Sequence, residues 1–263
     1  MLSNNEISKY INDGYVTPDW ILSQNDLNLL KKNIDKIILN NPNMRPEQIV
    51  CPHIKGGTTG KLKNKEHEYF LKLAYRKDIT DMVTQLLGKN FILWGSQIFC
   101  KPAYDGMAIP MHQDSHYWPI EPMSTCSIWL AADKASKING CLSVIPGSHK
   151  EKLLKHNIMN KNTALNAGIS QNMLTGKKNK FILLEPGQLS IHDANIIHGS
   201  NKNKSSFRRA GIVYRYMSSK SKFNRTAKNH EQKDGHIVNY SKRPIWLIKG
   251  NKGNNTLVKK LSS

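Results

Sequence analysis

Long apolar runs are missing from this sequence. No stretch of 18 apolar residues occurs, so no membrane-spanning helix and no membrane partner are expected. The opening residues Met1-Leu2-Ser3-Asn4-Asn5-Glu6 lack a basic segment followed by an apolar one, which argues against a secretory signal and for a cytoplasmic protein. Cysteine is scarce: Cys51, Cys100, Cys126 and Cys141 are the only four, and none forms a CxxC pair. Reduced, buried thiols are therefore expected. Acidic residues are few, 19 against 39 Lys and Arg, leaving a net charge of +20. Arginine is nonetheless rare, 7 of those 39, and the lysines are spread over every loop. Nucleic-acid readers concentrate arginine forks in patches, so this distribution argues against a nucleic-acid partner. A diffuse positive surface instead attracts small anions.

What is present suits one domain over residues 1–263, since 38% of the 263 residues are hydrophobic. Residues 1–90 read as a helical support region. Asp13-Gly14 is a turn signal ending a short amphipathic segment from Ile7, and Ser23 caps a helix over 24–39 with Leu27, Leu30, Ile34, Ile37 and Ile38 on one stripe. Residues 66–76 and 78–88 predict two more helices, the second capped by Asp78 and stopped at Gly88. Residues 41–65, rich in Gly, Pro and Lys, predict a loop that could fold over a site. From residue 91 the texture turns to short strands: 91–94, 97–100, 124–132, 141–145, 181–184, 188–191 and 207–217, with a hairpin at Asn139-Gly140. Residues 151–180 break this pattern as a lid-like insertion. In the C-terminal extension, 218–263, the apolar knot 244–248 is expected to pack back on the body. The fold class is mainly β with N-terminal helices packed on a sandwich or barrel.

Within the strand region, His112-Gln113-Asp114 stands out. On an extended chain the two outer side chains share a face. One further histidine would complete a 2-His-1-carboxylate triad, the arrangement of non-haem Fe(II) oxygenases. His198 follows an apolar approach at a strand end and fits; His192 is the competitor, with His192-Asp193 as a turn-shaping pair the other reading. Such an enzyme commonly uses a 2-oxo acid whose far carboxylate wants a bidentate arginine. Arg208 and Arg209 are the candidates. Arg208 shares parity with Ala210, Ile212, Tyr214 and Tyr216, the more apolar face, which is expected to point into the barrel; that favours Arg208, with Arg209 the alternative.

Four motifs in order, His112-Gln113-Asp114, Tyr117-Trp118-Pro119, Asn139-Gly140-Cys141-Leu142 through Pro146-Gly147-Ser148-His149, and His198-Gly199-Ser200 with Phe207-Arg208-Arg209-Ala210, resemble the phytanoyl-CoA dioxygenase (PhyH) family over about residues 91 to 220. The resemblance implies a double-stranded β-helix, a cupin-like jelly roll, with Fe(II) held by His112, Asp114 and His198. It implies 2-oxoglutarate lying against Trp129, Gln97 and Ser200 with its far carboxylate on Arg208, O₂ as oxidant, and succinate and CO₂ as co-products. Halogenases of the family lack the carboxylate that Asp114 provides, so hydroxylation of an aliphatic C–H is the expected outcome.

For the substrate, His116, Tyr117 and Trp118 are the candidates next to the triad, and Arg45 and His53 those in the 41–65 loop. A small metabolite, anionic or zwitterionic, such as an aminoalkyl-phosphonate or an amino-acid-like compound, suits the basic surface. Two other classes are carried: a cupin-like metal enzyme that does not use 2-oxoglutarate, and a basic binding module with a degenerate site.

Overall fold

A computed structural model describes residues 1–159, 163–227, 230–231, 237–238 and 240–261. The N-terminal third is helical, as the apolar stripes predict: α1 (Asn4–Asp13), α2 (Gln24–Asn40), α3 (His67–Ala74) and α4 (Lys77–Leu87). Ser23 caps α2 by accepting from the Asp26 amide, and Gly14 closes α1 at φ 79°, a conformation only glycine adopts without strain. Asp78 is not a cap. It lies inside the first turn of α4 and pairs with Arg76 at 2.9 Å, so the helix begins two residues earlier than the capping rule suggests.

The strands in chain order are β1 (Tyr15–Val16), β2 (Ile49–Val50), β3 (Phe91–Lys101), β4 (Ile109–His112), β5 (Ile120–Glu121), β6 (Thr125–Ala131), β7 (Leu142–Val144), β8 (His156–Ile158), β9 (Ala167–Ile169), β10 (Lys180–Phe181), β11 (Leu189–Asp193), β12 (His198–Ser200), β13 (Arg209–Ser218), β14 (Lys222–Phe223), β15 (His230–Glu231), β16 (Ile237–Val238), β17 (Ile245–Lys249) and β18 (Val258–Lys259). The major sheet runs β1-β11-β6-β13-β3-β17-β18, with β2 also on β3; the minor sheet runs β10-β7-β12-β4. Together they form the jelly roll expected of a mainly β chain with N-terminal helices.

Alternation along the major strands separates two environments. Ile98 and Cys100 of β3, Cys126, Ile128 and Leu130 of β6, Leu189 and Ile191 of β11, and Ala210, Ile212, Tyr214 and Tyr216 of β13 pack with Leu30, Ile34, Phe70, Ile79 and Met82 of the helices. Tyr214 and Tyr216 also donate to the carbonyls of Phe70 and Ala74 in α3, at 2.9 and 2.8 Å, so each buried hydroxyl has a partner. The opposite face of the same strands looks toward the minor sheet, across a cavity.

Three local expectations change. Residues 91–101 form one strand with an irregularity near Gly95, not two. Lys137–Gly140 is a turn but not a hairpin, because it carries the chain from β6 in the major sheet to β7 in the minor one. The 151–180 stretch contains the β8–β9 hairpin, whose Ala167 carbonyl accepts from the Tyr117 hydroxyl at 2.7 Å. The 244–248 knot does pack back, as β17 along β3.

Candidate metal centre and its cavity

β4 and β12 are neighbours in the minor sheet, and their register sets His112 directly opposite His198. Asp114 falls two residues past β4, at the start of a 3-10 turn. Gln113 is still extended (φ −112°, ψ 126°), so alternation carries through it and brings the carboxylate to the imidazole side. Gln113 itself points away. It donates to the Asn195 carbonyl and accepts from the Leu154 amide, which ties the insertion to the turn after β11.

Both histidines have one nitrogen committed. His112 Nδ1 lies 2.8 Å from the Pro110 carbonyl and His198 Nδ1 2.9 Å from that of Ile196. A carbonyl can only accept, so Nδ1 carries the proton and each Nε2 presents a lone pair. The Nε2 atoms stand 3.4 and 3.9 Å from the Asp114 carboxylate oxygens, and the three donor atoms lie within 4.8 Å of one another. Burial would raise the Asp114 carboxyl, but His198, His112 and Arg215 hold it well below the usual carboxylate range. Burial pushes His198 well down and His192 to about 4, so both imidazoles are neutral. Two imidazoles and a carboxylate on one side of an open cavity would suit Fe(II), with room left for a co-substrate. His192, on β11, sits beside this set with Nε2 4.0 Å from Asp114, outside the converging trio; Asp193 accepts from the Asn195 amide and shapes the turn.

The adjoining cavity is about 310 Å³, at the small end for ligand sites. Trp129, Gln97 and Ser200 line it, as do His116, Tyr117 and Trp118. Trp118 meets Trp94 edge-on at 4.7 Å, and the His116 ring stacks on His156 at 4.0 Å. Three candidates do not reach it. Arg45 is held by Glu47 and Asp105, at 3.1 and 3.0 Å. His53 is buried at β3, hydrogen-bonded to Ser96 Oγ at 2.6 Å and set against Trp246. Arg208 points outward, pairing with Asp133 at 3.0 Å and with Asp35 of α2.

The expectation that Arg208 points into the barrel is not met, for a definite reason. The more apolar face of β13 is the face that the helices cover, whereas the barrel interior is the polar one. Arg209, Val213 and Arg215 therefore line the cavity. Arg209 is 2% exposed, its guanidinium lies 5.2 Å over the Trp129 ring, and its Nε has no partner among the described residues. Sequence reasoning also passed over Arg243, Tyr240, Gln48, Val50 and the hairpin residues Ala164–Ala167, all of which line the cavity. For Arg209 and Arg215 the available signal was their shared parity with Gly211.

The phytanoyl-CoA dioxygenase family model matches residues 10–211. The chain belongs to the phytanoyl-CoA dioxygenase family. A probable phytanoyl-CoA dioxygenase of Caenorhabditis elegans is 32% identical over 147 residues, 52% of this chain and 47% of that protein. The peroxisomal phytanoyl-CoA dioxygenase of Homo sapiens is 32% identical over 155 residues, covering 56% and 45%. The chain thus spans about half the length of these curated relatives. A probable alpha-ketoglutarate-dependent hypophosphite dioxygenase of Stutzerimonas stutzeri is 25% identical over 218 residues, covering 79% of this chain and 76% of that one. Among solved structures, the non-heme monooxygenase ThoJ in its apo form superposes with a TM-score of 0.71 at 18% identity, covering 97% and 86%. EctD from S. alaskensis, solved with 2-oxoglutarate and 5-hydroxyectoine, gives 0.66 at 20% identity, covering 83% and 77%. These structural likenesses establish the shared fold.

In this family member the cavity wall depends on one glycine. A Cβ on Gly211 would come within 2.4 Å of the Trp129 ring. Gly211→Ala is expected to drive that ring off β13 and disturb Arg209 beneath it. We expect 2-oxoglutarate to bind about 10-fold more weakly, the equivalent of ~1.4 kcal/mol, with Fe(II) affinity retained, as read by anaerobic titration.

Proposed function

We propose that the chain is an Fe(II)- and 2-oxoglutarate-dependent dioxygenase that hydroxylates an aliphatic C–H of a small anionic or zwitterionic metabolite. The observation that carries this reading is the convergence of His112, Asp114 and His198 beside a cavity that also holds Arg209, a buried cation with no carboxylate partner among the described residues. An uncompensated buried guanidinium is costly, and the far carboxylate of 2-oxoglutarate would offset that cost. Fe(II) held by the three donors would supply the oxidising chemistry, with R–H, 2-oxoglutarate and O₂ converted to R–OH, succinate and CO₂.

The chain's own groups have separate tasks. Arg209 binds and orients the 2-oxo acid, with Trp129 as its wall and the Ser200 hydroxyl, buried and without a partner among the described residues, as a further donor. Tyr117 pins the β8–β9 hairpin over the cavity and so limits the entry of water. His116, Tyr117 and Trp118 bound the space left for substrate. That space argues against a long acyl-CoA thioester and for a compact metabolite, with an aminoalkyl-phosphonate or amino-acid-like compound as the working examples.

Anaerobic titration with Fe(II) and 2-oxoglutarate tests the reading, with a visible metal-to-ligand band as the expected result. Iron binding without that band would favour a metal enzyme that does not use 2-oxoglutarate. Failure to bind iron, together with salt-sensitive nucleic-acid binding, would favour a basic binding module.

A further inference from the structure

Arg209 accounts for one of three arginines in the cavity wall. Arg215 lies on the same face of β13, six residues further on, which is roughly 20 Å of strand at about 3.3 Å per residue. It stands beside the metal-binding side, flanked by Trp118 at 5.4 Å and Trp94 at 6.0 Å. One of its amino groups donates to Gln97 Oε1 at 3.2 Å. Gln97 in turn donates to the Glu47 carbonyl, which fixes its oxygen toward the arginine. Arg243 enters the same wall from the segment before β17. It is 6% exposed, lies over the Tyr240 ring at 5.1 Å, and has a buried Nε with no partner among the described residues. Its segment is fastened from outside the cavity, because Arg225 donates to the carbonyls of Tyr240 and Arg243 at 3.1 and 2.7 Å.

Among the described lining residues the only counter-charge near Arg215 is Asp114, and neither guanidinium has a carboxylate of its own. Asp114 is already shared between His112 and His198. No described carboxylate forms an ion pair with Arg215 or Arg243. The aromatic faces account for their packing, but of Arg215's five N–H donors one hydrogen bond is formed, and Arg243's side chain makes none among the described residues. Two like charges facing one buried space are costly unless an anion sits between them. A single carboxylate would neutralise one of them. A tetrahedral dianion matches both the charge and the forked donors.

We propose that Arg215 and Arg243 together bind a doubly charged tetrahedral oxyanion, the phosphonate or phosphate-ester head of the primary substrate, against the Trp94–Trp118 wall. The proposal rests on reading the cavity as an oxygenase site, and it places the anion at the end away from the 2-oxo acid.

Binding, not turnover, tests it. Inorganic phosphate, methylphosphonate and acetate are titrated calorimetrically into the full chain, with and without Fe(II) and 2-oxoglutarate. The two phosphorus anions are expected to bind and acetate to bind at least 10-fold more weakly. A gain for methylphosphonate over phosphate would assign the head group to phosphonates, and the reverse to phosphate esters. Arg243→Gln and Arg215→Gln should each lower phosphate affinity at least 10-fold, whereas Arg243→Lys, which keeps the charge, should stay within a few-fold. Arg209→Gln should weaken 2-oxoglutarate and leave phosphate binding intact. Equal phosphate affinity in wild type and Arg243→Gln, competition between phosphate and 2-oxoglutarate for Arg209, or no phosphate binding would each overturn the proposal. Melting curves identify any variant that fails to fold, and the Lys–Gln contrast at Arg243 then decides alone. Phosphate binding that needs Arg215 and Arg243 in a chain that binds neither iron nor 2-oxoglutarate would uphold this site while removing the oxygenase reading.

Discussion

Arg209→Gln is expected to raise the dissociation constant for 2-oxoglutarate about 100-fold, with Fe(II) affinity little changed. Hydrogen bonds to charged groups contribute roughly 1.5–3 kcal/mol, and truncating one partner of a buried charge pair costs roughly 2–5 kcal/mol, so ~2.7 kcal/mol is a moderate figure. Arg209 meets the conditions for the higher part of that range. It is buried on the cavity face of β13, packed over Trp129, with no competing carboxylate among the described residues. Burial pushes its guanidinium down to about 10, which still leaves it charged at neutral pH. The neighbouring change, Arg208→Gln, is the internal control. Arg208 lies on the helix side, more than a third of its side chain is exposed, and its pairs with Asp35 and Asp133 are solvent-exposed and partly exposed respectively. Such pairs contribute roughly 0–1 kcal/mol, so a small fall in thermal stability and unchanged 2-oxoglutarate affinity are expected. Anaerobic titration of both variants reads the contrast. A loss of affinity in Arg208→Gln, with Arg209→Gln like wild type, would place the co-substrate clamp on the other face of β13.

That pair of adjacent arginines shows what a sequence discloses and what it withholds. Parity along β13 was legible and correct: Arg208 goes with Ala210, Ile212, Tyr214 and Tyr216, and Arg209 with Val213 and Arg215. Which face looks inward was not legible, because it depends on what covers the sheet. A sheet backed by helices buries its apolar face against them and leaves its more polar face to the ligand cavity. The two tyrosines looked like an interior wall, yet their hydroxyls are spent on carbonyls of α3. The same logic explains Arg45 and His53. Both sit in a segment that does approach the cavity, but Gln48 and Val50 are the residues that line it, and the two polar side chains are used for structure. Arg243 could not have been found by periodicity. It reaches the cavity only because β17 pairs with β3, a contact about 150 residues apart in the chain that no local pattern encodes. The helices, by contrast, were legible to within a few residues, since a stripe at 3.6-residue spacing states its own burial.

Asp114→Ala is expected to abolish succinate formation coupled to substrate oxidation and to weaken Fe(II) binding by more than about 100-fold, because disturbing even the groups that orient metal ligands costs about 10–100-fold. His198→Gln should behave alike, for its Nε2 is one of the three converging donors. His192→Gln separates this assignment from its competitor. His192 is as buried as His198 and only 4.0 Å from the same carboxylate, so distance to Asp114 alone does not distinguish them. Direction does. His198 has its Nδ1 fixed on the Ile196 carbonyl and faces His112 across the β4–β12 ladder, with ring centroids 4.2 Å apart, whereas His192 comes from the opposite sheet and its Nδ1 has no partner among the described residues. An imidazole held from behind presents its lone pair at a fixed angle, and one that is not so held is a poorer ligand. His192→Gln is therefore expected to keep Fe(II) within about 10-fold of wild type, less than the loss expected from either proposed ligand. Iron retained in His198→Gln and lost in His192→Gln would transfer the third ligand to β11 and with it move the open coordination positions toward the major sheet.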